Sequence, residues 1–234
     1  MKNIFAQFIS LLAFIILVVA IPLLIVSTTV QVYSHSVALY TAGFEKYNIS
    51  VKTGISDVQL RQVAMQMVDY FSGKSPTCQL TVNKNGEPLS LYNEKELIHM
   101  EDVRNIVQLF TILQIASIVI FVGVAILIYL KNGLAPLLKG IQIGAIVTAA
   151  LTGVLIIWAL IDFNSLFLIF HYISFTNNLW VLDPAKDYLI MMFPEGFFND
   201  AAILIVFSIL IEAAIIWLAA YLIKMVSIRK ASAD

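Results

Sequence analysis

Charged residues are scarce in this 234-residue chain, because Asp, Glu, Lys and Arg together make up only 12% of it. Soluble domains average about 25% charged residues. The chain also has a single cysteine, Cys78, which allows no internal disulfide, and its net charge of −1 gives no basic field for nucleic acid. Apolar residues make up 60%. This composition excludes an ordinary cytosolic enzyme, a disulfide-stapled secreted module and a nucleic-acid-binding domain, and it predicts a membrane protein.

Four stretches are long and apolar enough to cross a bilayer as helices, which takes about 20 residues. They lie at 5–30, 106–130, 140–161 and 201–223. A signal peptide is the alternative interpretation of the first stretch. However, the stretch is longer than the apolar core of about 7–15 residues of a signal peptide, and no small-x-small cleavage site follows it. We therefore predict a retained anchor and four transmembrane helices.

The lysines of the short loops predict the orientation. The loop 131–139 has two lysines and no acid, whereas the segment 162–200 has five acids and one lysine. The tail 224–234 carries three bases against Asp234 alone, and Lys2 lies at the start of the chain. By the positive-inside rule, both termini lie in the cytoplasm and the segments 31–105 and 162–200 lie outside.

In the first outer segment, a helix is predicted at 57–71. Ser56 and Gln59 have the spacing of a capping box, in which each side chain bonds a free backbone N–H of the first turn. Gly73 is a natural stop. The apolar positions of the helix fall on one face, which comprises Leu60, Val63, Met67, Val68 and Phe71.

Two further signals complete this segment. Asn85-Gly86 between apolar runs is typical of a type I′ hairpin turn. Asn93 and Glu96 open another helix by the same capping logic, and we expect that helix to run into the stretch 106–130. The fold class is therefore all-α integral membrane, with a small, mainly helical extracellular cap that contains a short β-hairpin.

The second outer segment is rich in aromatic residues, with ten between positions 163 and 198 out of 27 in the whole chain. Asp183-Pro184 reads as the N-cap and first residue of a short helix that ends before Pro194. Aromatic side chains favour the headgroup level of a membrane. The segment is therefore either an interfacial belt or the wall of an apolar pocket for acyl chains, and the two interpretations are compatible.

The chain has three histidines, all on the outer side in this topology. His99 has Asp102 three positions on, where a helical carboxylate can orient an imidazole. His171 lies among apolar neighbours. Each of the two lies near a membrane end on the same side, so they are able to meet, although a solvated helix face for His99 and a buried structural role for His171 are alternatives. His35 has no acidic neighbour and is expected to have no special role.

Other chemistries find little support. No phosphate-binding loop, nucleophile elbow or zinc-binding His-Glu-x-x-His motif occurs, and no ligand spacing supports a metal site. Glu212 lies in the middle of the stretch 201–223, where a carboxylate is a functional candidate by default. The simpler interpretation is a protonated side chain that bonds a neighbouring helix. The candidate partners are Gln114, Ser117, Thr148 and Thr152.

Seven short motifs resemble, in residues and order, the bacterial lipoprotein intramolecular transacylase family. They are Phe44–Tyr47, Lys52–Ser56, Tyr92–Val103, Phe170–His171, Asn178–Trp180, Leu182–Pro184 and Met192–Phe198. The resemblance covers nearly the whole chain. It implies a cytoplasmic-membrane enzyme that moves the sn-2 acyl chain of a diacylglyceryl lipoprotein onto the α-amine of the same N-terminal cysteine. It also implies that His99 and His171 are catalytic.

The resemblance and the residue pattern together give a candidate site. Asp102, Glu101 and Asn178 are expected to orient or support the polar groups. The expected substrate pocket comprises Tyr47, Phe170, Phe175, Trp180, Phe193 and Phe197. Both reacting groups lie on one substrate, so no cofactor or metal is expected.

The expected partners are the lipoprotein and membrane lipids, with the protein acting as a monomer. Two alternatives are a non-enzymatic membrane protein that binds lipids or lipoproteins, and a small transporter that uses Glu212.

Overall fold

The computed structural model describes residues 2–231, so Asp234 and the two preceding residues of the predicted tail lie outside the described part. The described residues form eight helices and one strand pair. The helices are α1 (Lys2–Ser34), α2 (Val37–Lys46), α3 (Ile49–Thr53), α4 (Asp57–Phe71), α5 (Glu94–Asn132), α6 (Leu134–Ser174), α7 (Tyr188–Met192) and α8 (Glu195–Ala231); the strands are β1 (Thr81–Lys84) and β2 (Glu87–Ser90).

Four of these helices are long and apolar enough to cross a membrane, and each contains one of the predicted stretches. The helical segments that qualify are Ile4–Ser34, Glu94–Asn132, Leu134–Ser174 and Glu195–Lys230, and each is longer than the about 20 residues that a span needs. Large apolar side chains along them are exposed, as lipid-facing residues would be; Leu160 and Ile161, for example, are 80% and 79% exposed. The predicted fold class of four membrane helices, further short helices and a short hairpin is confirmed.

The chain divides into two compact units. The first unit comprises the residues up to Thr29, Phe110–Trp158 and the residues from Val206 onward. The second unit comprises Val30–Leu109 and Ala159–Ile205. The helices α1, α5, α6 and α8 each contribute to both units, whereas the shorter elements lie entirely in the second unit.

Close packing of α1 against α6 characterises the first unit. A Cβ atom added at Gly140 would lie 2.6 Å from a Leu17 methyl group, and one added at Gly144 would lie 2.6 Å from an Ile21 methyl group. The two glycines are four positions apart on one helical face. They allow the backbones to approach as small-xxx-small motifs do in membrane helices.

The polar groups of the first unit pair across helices. The Thr29 hydroxyl donates to the Glu212 carboxylate at 3.2 Å, and the Gln114 amide donates to the Thr28 hydroxyl at 3.0 Å. The prediction that Glu212 bonds a neighbouring helix is therefore confirmed, but the expected partners on α5 and α6 were wrong. The partner of Glu212 comes from α1, where Thr29 bonds Glu212 and the adjacent Thr28 bonds Gln114.

The helix predicted at 57–71 is α4, with the predicted bounds. The predicted face packs into the core of the second unit, with Val68 only partly buried. The Ser56 capping box was wrong, because the Ser56 side chain makes no bond to the helix backbone. The Ser56 hydroxyl instead bonds the Gln59 side chain at 3.1 Å, which takes both groups away from the backbone N–H groups.

The other two local signals of this segment are confirmed. Asn85 and Gly86 have positive φ angles of 56° and 91°, as a type I′ turn requires, and they join the antiparallel strands β1 and β2. The Glu96 carboxylate accepts from the Asn93 N–H at 2.8 Å, and the Asn93 side-chain oxygen accepts from the Glu96 N–H at 3.1 Å. The resulting helix α5 runs without interruption to Asn132, as expected.

The predicted N-cap at Asp183 was wrong. The short helix α7 begins at Tyr188, with Asp187 as its N-cap residue, and it ends at Met192 before Pro194. Asp183 instead closes a turn in which its carboxylate accepts from the Ala185 N–H at 2.9 Å and its carbonyl accepts from the Asp187 N–H at 2.8 Å.

Helix α6 is broken at Asp162, whose backbone is not helical (φ −157°, ψ 86°). The Asp162 carboxylate accepts from the Ser165 N–H at 3.0 Å, which is the bond of an N-cap. The residues 163–174 therefore form a helical segment of their own, and this segment carries His171.

Candidate active site

The structure brings His99 and His171 together within the second unit. Their ring centroids lie 6.4 Å apart, and both side chains are buried. His99 lies in the second turn of α5. That helix has 39 residues, about 58 Å at about 1.5 Å per residue, whereas the hydrocarbon core is about 30 Å thick. His99 precedes the stretch 106–130 and His171 follows the stretch 140–161, so both lie outside the predicted spans.

A backbone hydrogen bond fixes the tautomer of His171. Its Nδ1 lies 2.7 Å from the Phe167 carbonyl oxygen, one helical turn back. Because a carbonyl only accepts, Nδ1 carries the hydrogen, and Nε2 of the neutral ring then presents a lone pair. Burial lowers the pKa of His171 below its ordinary value, and the bond to Phe167 opposes that shift.

His99 is neutral at physiological pH. Burial, and secondarily the neighbouring His171, lower its pKa to about 4, while the Asp102 carboxylate acts in the opposite direction. The Nδ1 atom of His99 is buried and has no hydrogen-bond partner among the described residues. Buried polar groups in native proteins usually have a partner, so this nitrogen is free to bond a substrate.

Three of the predicted pocket residues surround the histidine pair. Phe175 lies edge-on to His99 with the centroids 5.0 Å apart, Trp180 lies 4.8 Å from His171, and Phe170 lies 5.4 Å from His171. The indole Nε1 of Trp180 is also buried without a partner among the described residues. We call these five residues the histidine cluster.

The other three predicted pocket residues lie elsewhere in the second unit. Phe193 and Phe197 pack against Tyr40, with centroids 5.9 and 6.2 Å from it, and both are buried in the apolar core. The Tyr47 hydroxyl donates to the Asp200 carboxylate at 2.7 Å. Their described contacts are with the core and with α8, so these residues support the fold in this structure.

The expected polar support also differs from the structure. The Asp102 carboxylate accepts from the Asn177 side chain at 2.8 Å, and the structure gives no hydrogen bond from Asp102 to His99. Glu101 is exposed and lines a separate cavity of about 210 Å³ with Arg104. Asn178 is exposed. The charge of the nearby Asp102 carboxylate raises the pKa of His99, against the larger effect of burial.

Sequence reasoning missed two residues of this region. Phe167 lies 4.2 Å from His171 by ring centroids and also supplies the carbonyl that fixes the tautomer. Its position one turn before His171 was the available signal. Asn177 was missed in favour of Asn178, because the segment after α6 is irregular and has no periodicity from which to choose.

His35 lies outside the histidine cluster. Its Nδ1 is 2.9 Å from the Gln31 carbonyl oxygen one turn back on α1. Within residues 2–231, no group of three or more His, Cys, Asp or Glu side chains is placed to hold a metal ion.

Comparison with known proteins identifies the family. The profile of the lipoprotein intramolecular transacylase family, Lit, matches residues 15–198. The chain belongs to this family. The transacylase name supports acyltransferase activity in general, and the membrane-spanning fold agrees with it.

Solved structures of Lit from Bacillus cereus are similar to this chain. A structure of that membrane-integral protein has a TM-score of 0.78 and 25% identity, and the match covers 95% of this chain and 99% of that one. Two variants, each with one histidine replaced by arginine or by alanine, match with TM-scores of 0.77 and 24% identity over 97% of this chain. The two matches cover 98% and 100% of the variant chains, respectively. None of the curated proteins compared with the chain matches it significantly.

Proposed function

We propose that this protein transfers the sn-2 acyl chain of a diacylglyceryl lipoprotein to the α-amine of the same N-terminal cysteine. The observation that carries the proposal is the histidine cluster. In it, a lone pair on His171 and two partnerless buried polar groups, on His99 and Trp180, lie among aromatic rings. Family membership supplies the transacylase class and the lipoprotein substrate.

In the proposed mechanism, His171 is the general base. The Nε2 lone pair accepts a proton from the α-amine as the nitrogen attacks the ester carbonyl carbon. Proton transfer by a positioned side chain contributes about 10²–10⁴-fold to such reactions. The C–N bond forms and the carbonyl π electrons move to the oxygen, which gives a tetrahedral oxyanion.

His99 is the oxyanion donor in this mechanism. A neutral imidazole donates one N–H and carries no charge that burial would penalise, and the low pKa of His99 keeps it neutral. The Trp180 indole N–H is a second donor. Donors held in advance where negative charge develops are a major source of catalysis.

The second half of the reaction returns the proton. The tetrahedral intermediate collapses, the ester C–O bond breaks, and the imidazolium of His171 protonates the departing glyceryl oxygen. The products are an amide on the cysteine nitrogen and a free sn-2 hydroxyl group. Because amine and ester lie on one molecule, the aromatic side chains need only hold them in contact, and well-oriented intramolecular reactions gain up to about 7–11 kcal/mol.

We propose that the histidine cluster lies at the outer face of the membrane, with both termini in the cytoplasm. The lysines of the loop 131–139 and the acids of 162–200 support this orientation. A monomer suffices, since both histidines come from one chain.

The test is the mass of a lipoprotein's N-terminal lipopeptide in a host that lacks its own enzyme. His99→Ala and His171→Ala should each reduce the N-acyl, lyso-glyceryl product about 10²–10⁴-fold. The double variant should be scarcely worse, because groups that act as a unit are not additive. The matched control is His35→Ala, which should be near normal.

Trp180→Phe separates the oxyanion role from packing, since the ring is kept and the N–H is lost. We expect a reduced rate at unchanged folding. Normal product from a folded His99→Ala or His171→Ala protein would contradict the two-histidine mechanism.

A further inference from the structure

A groove in the first unit shares no lining residue with the histidine cluster. Its volume is about 530 Å³, and α1, α5, α6 and α8 all contribute to its lining. Lys139 and Lys224 line it together with the side chain of Asn132. We propose that this groove binds an anionic phospholipid, with the lipid phosphate at the two lysines.

The charge of the groove favours an anion. Lys139 and Lys224 are both basic side chains, and among the described residues no Asp or Glu lines the groove. Within residues 2–231, no ion pair neutralises either lysine. Two like charges that share a groove repel each other, and a bound phosphate removes that repulsion while it receives donors from both ammonium groups.

The apolar wall fits the other end of a lipid. Leu11, Phe14 and Ile128 line the groove, and Leu11 is 58% exposed, so its side chain is available to a lipid. A free phosphate ion gains nothing from these side chains, whereas the acyl chain of a lipid packs against them as it does against neighbouring lipid tails. The combination of lysines and apolar side chains in one groove therefore favours a lipid over a free ion.

The position of the lysines along the chain agrees with a headgroup. Lys139 directly precedes the apolar stretch 140–161, and Lys224 directly follows the stretch 201–223. Both therefore lie where a membrane helix meets the headgroup layer, on one face in the predicted topology. Basic pockets between membrane helices bind the headgroups of anionic lipids in this way. A choline headgroup is disfavoured, because its ammonium group would be repelled by the lysines.

The experiment measures lipid binding to the full-length, delipidated protein in detergent by native mass spectrometry. The probes are phosphatidylglycerol, phosphatidylcholine with the same acyl chains, and inorganic phosphate. We expect phosphatidylglycerol to bind more tightly than phosphatidylcholine, and inorganic phosphate to bind far more weakly than either. Lys139→Gln with Lys224→Gln should weaken phosphatidylglycerol binding roughly 25-fold, at about fivefold for each lysine.

Two further variants separate the site from general charge and from misfolding. Lys131→Gln removes a lysine of the same loop that does not line the groove, and it should leave the affinity unchanged. Ala135→Trp fills the groove without a change of charge, and it should weaken phosphatidylglycerol binding. Equal affinity for the two lipids, tight binding of inorganic phosphate alone, or unchanged phosphatidylglycerol binding in both the lysine and Ala135→Trp variants would overturn the proposal.

Discussion

A single side chain, His99, shows how burial prepares a residue for chemistry. An imidazole that is 7% exposed resists protonation because charge is costly away from water. The ring is thereby kept as a neutral donor, beside a second ring whose tautomer is set by the Phe167 carbonyl. The proposed division of roles between the two histidines rests on their different hydrogen bonds.

The low pKa of His99 has a consequence for stability. Its folded pKa of about 4 lies below the ordinary value of 6.5, so the unfolded chain binds more protons between these two values. The free energy of unfolding should therefore fall as the pH falls from 6.5 toward 4. Thermal unfolding of the parent protein and of His99→Gln is compared at about pH 7.5 and at about pH 4.5. The loss of stability between the two pH values should be smaller in His99→Gln than in the parent protein.

The control for this measurement is His35→Gln, which removes a histidine outside the histidine cluster. It should leave the pH-dependent loss as large as in the parent protein. An equal loss in His99→Gln and the parent protein would show that His99 does not titrate abnormally.

At the scale of elements, one carboxylate joins two helices. Glu96 is 1% exposed, and its two oxygens accept from the Asn93 N–H at 2.8 Å and from the Leu189 N–H at 2.6 Å. The first bond caps α5 and the second ties α7 to it. Burial raises the pKa of Glu96, and the two backbone N–H groups act against that rise.

We expect Glu96→Ala to destabilise the protein strongly. Each buried N–H that loses its acceptor costs about 1–3 kcal/mol, so the apparent melting temperature should fall by several degrees. Glu94→Ala is the matched control, since Glu94 lies in the same turn but is exposed; its effect should be within about 1 kcal/mol. Similar melting temperatures for the two variants would refute a joining role for Glu96.

The contact between α1 and α6 gives a second prediction at this scale. In Gly144→Leu, the added Cβ atom would press against Ile21 and lie 3.1 Å from the Val18 carbonyl oxygen. This overpacking should lower the free energy of unfolding by about 1–3 kcal/mol or more. A Cβ atom added at Gly153 on the same helix meets nothing within 4 Å, so Gly153→Leu should be neutral or slightly stabilising. Thermal unfolding in detergent compares them, and equal stability would argue against close packing here.

These elements also show what a sequence reveals. The pairing of Asn93 with Glu96 and the Asn85-Gly86 turn depend on residues within a few positions, so both were predictable. The N-cap of α7 was not, because Asp183 and Asp187 are equally plausible, and a bond from the distant Asn93 amide to Asp187 accompanies the observed choice. The partners of Glu212 and Asp102 depend on packing between helices far apart in sequence, which no local pattern encodes.

At the scale of the whole molecule, the orientation in the membrane remains a prediction with a direct test. The lysines of the loop 131–139 predict that the C-terminal tail lies in the cytoplasm. A reporter that is active only in the cytoplasm, fused after Asp234, should be active, and the same reporter inserted at the exposed turn Asn85-Gly86 should be silent. The reverse pattern would place the histidine cluster on the inner side.

The unbroken length of α5 links the chemistry to the thickness of the bilayer. His99 is carried on the same continuous helix that crosses the membrane, whereas His171 lies on a segment separated from its spanning helix by the break at Asp162. A bilayer that is too thin or too thick makes a spanning helix tilt. Such tilting would displace His99 directly but His171 only indirectly, so turnover in nanodiscs should pass through an optimum as the lipid chains are lengthened.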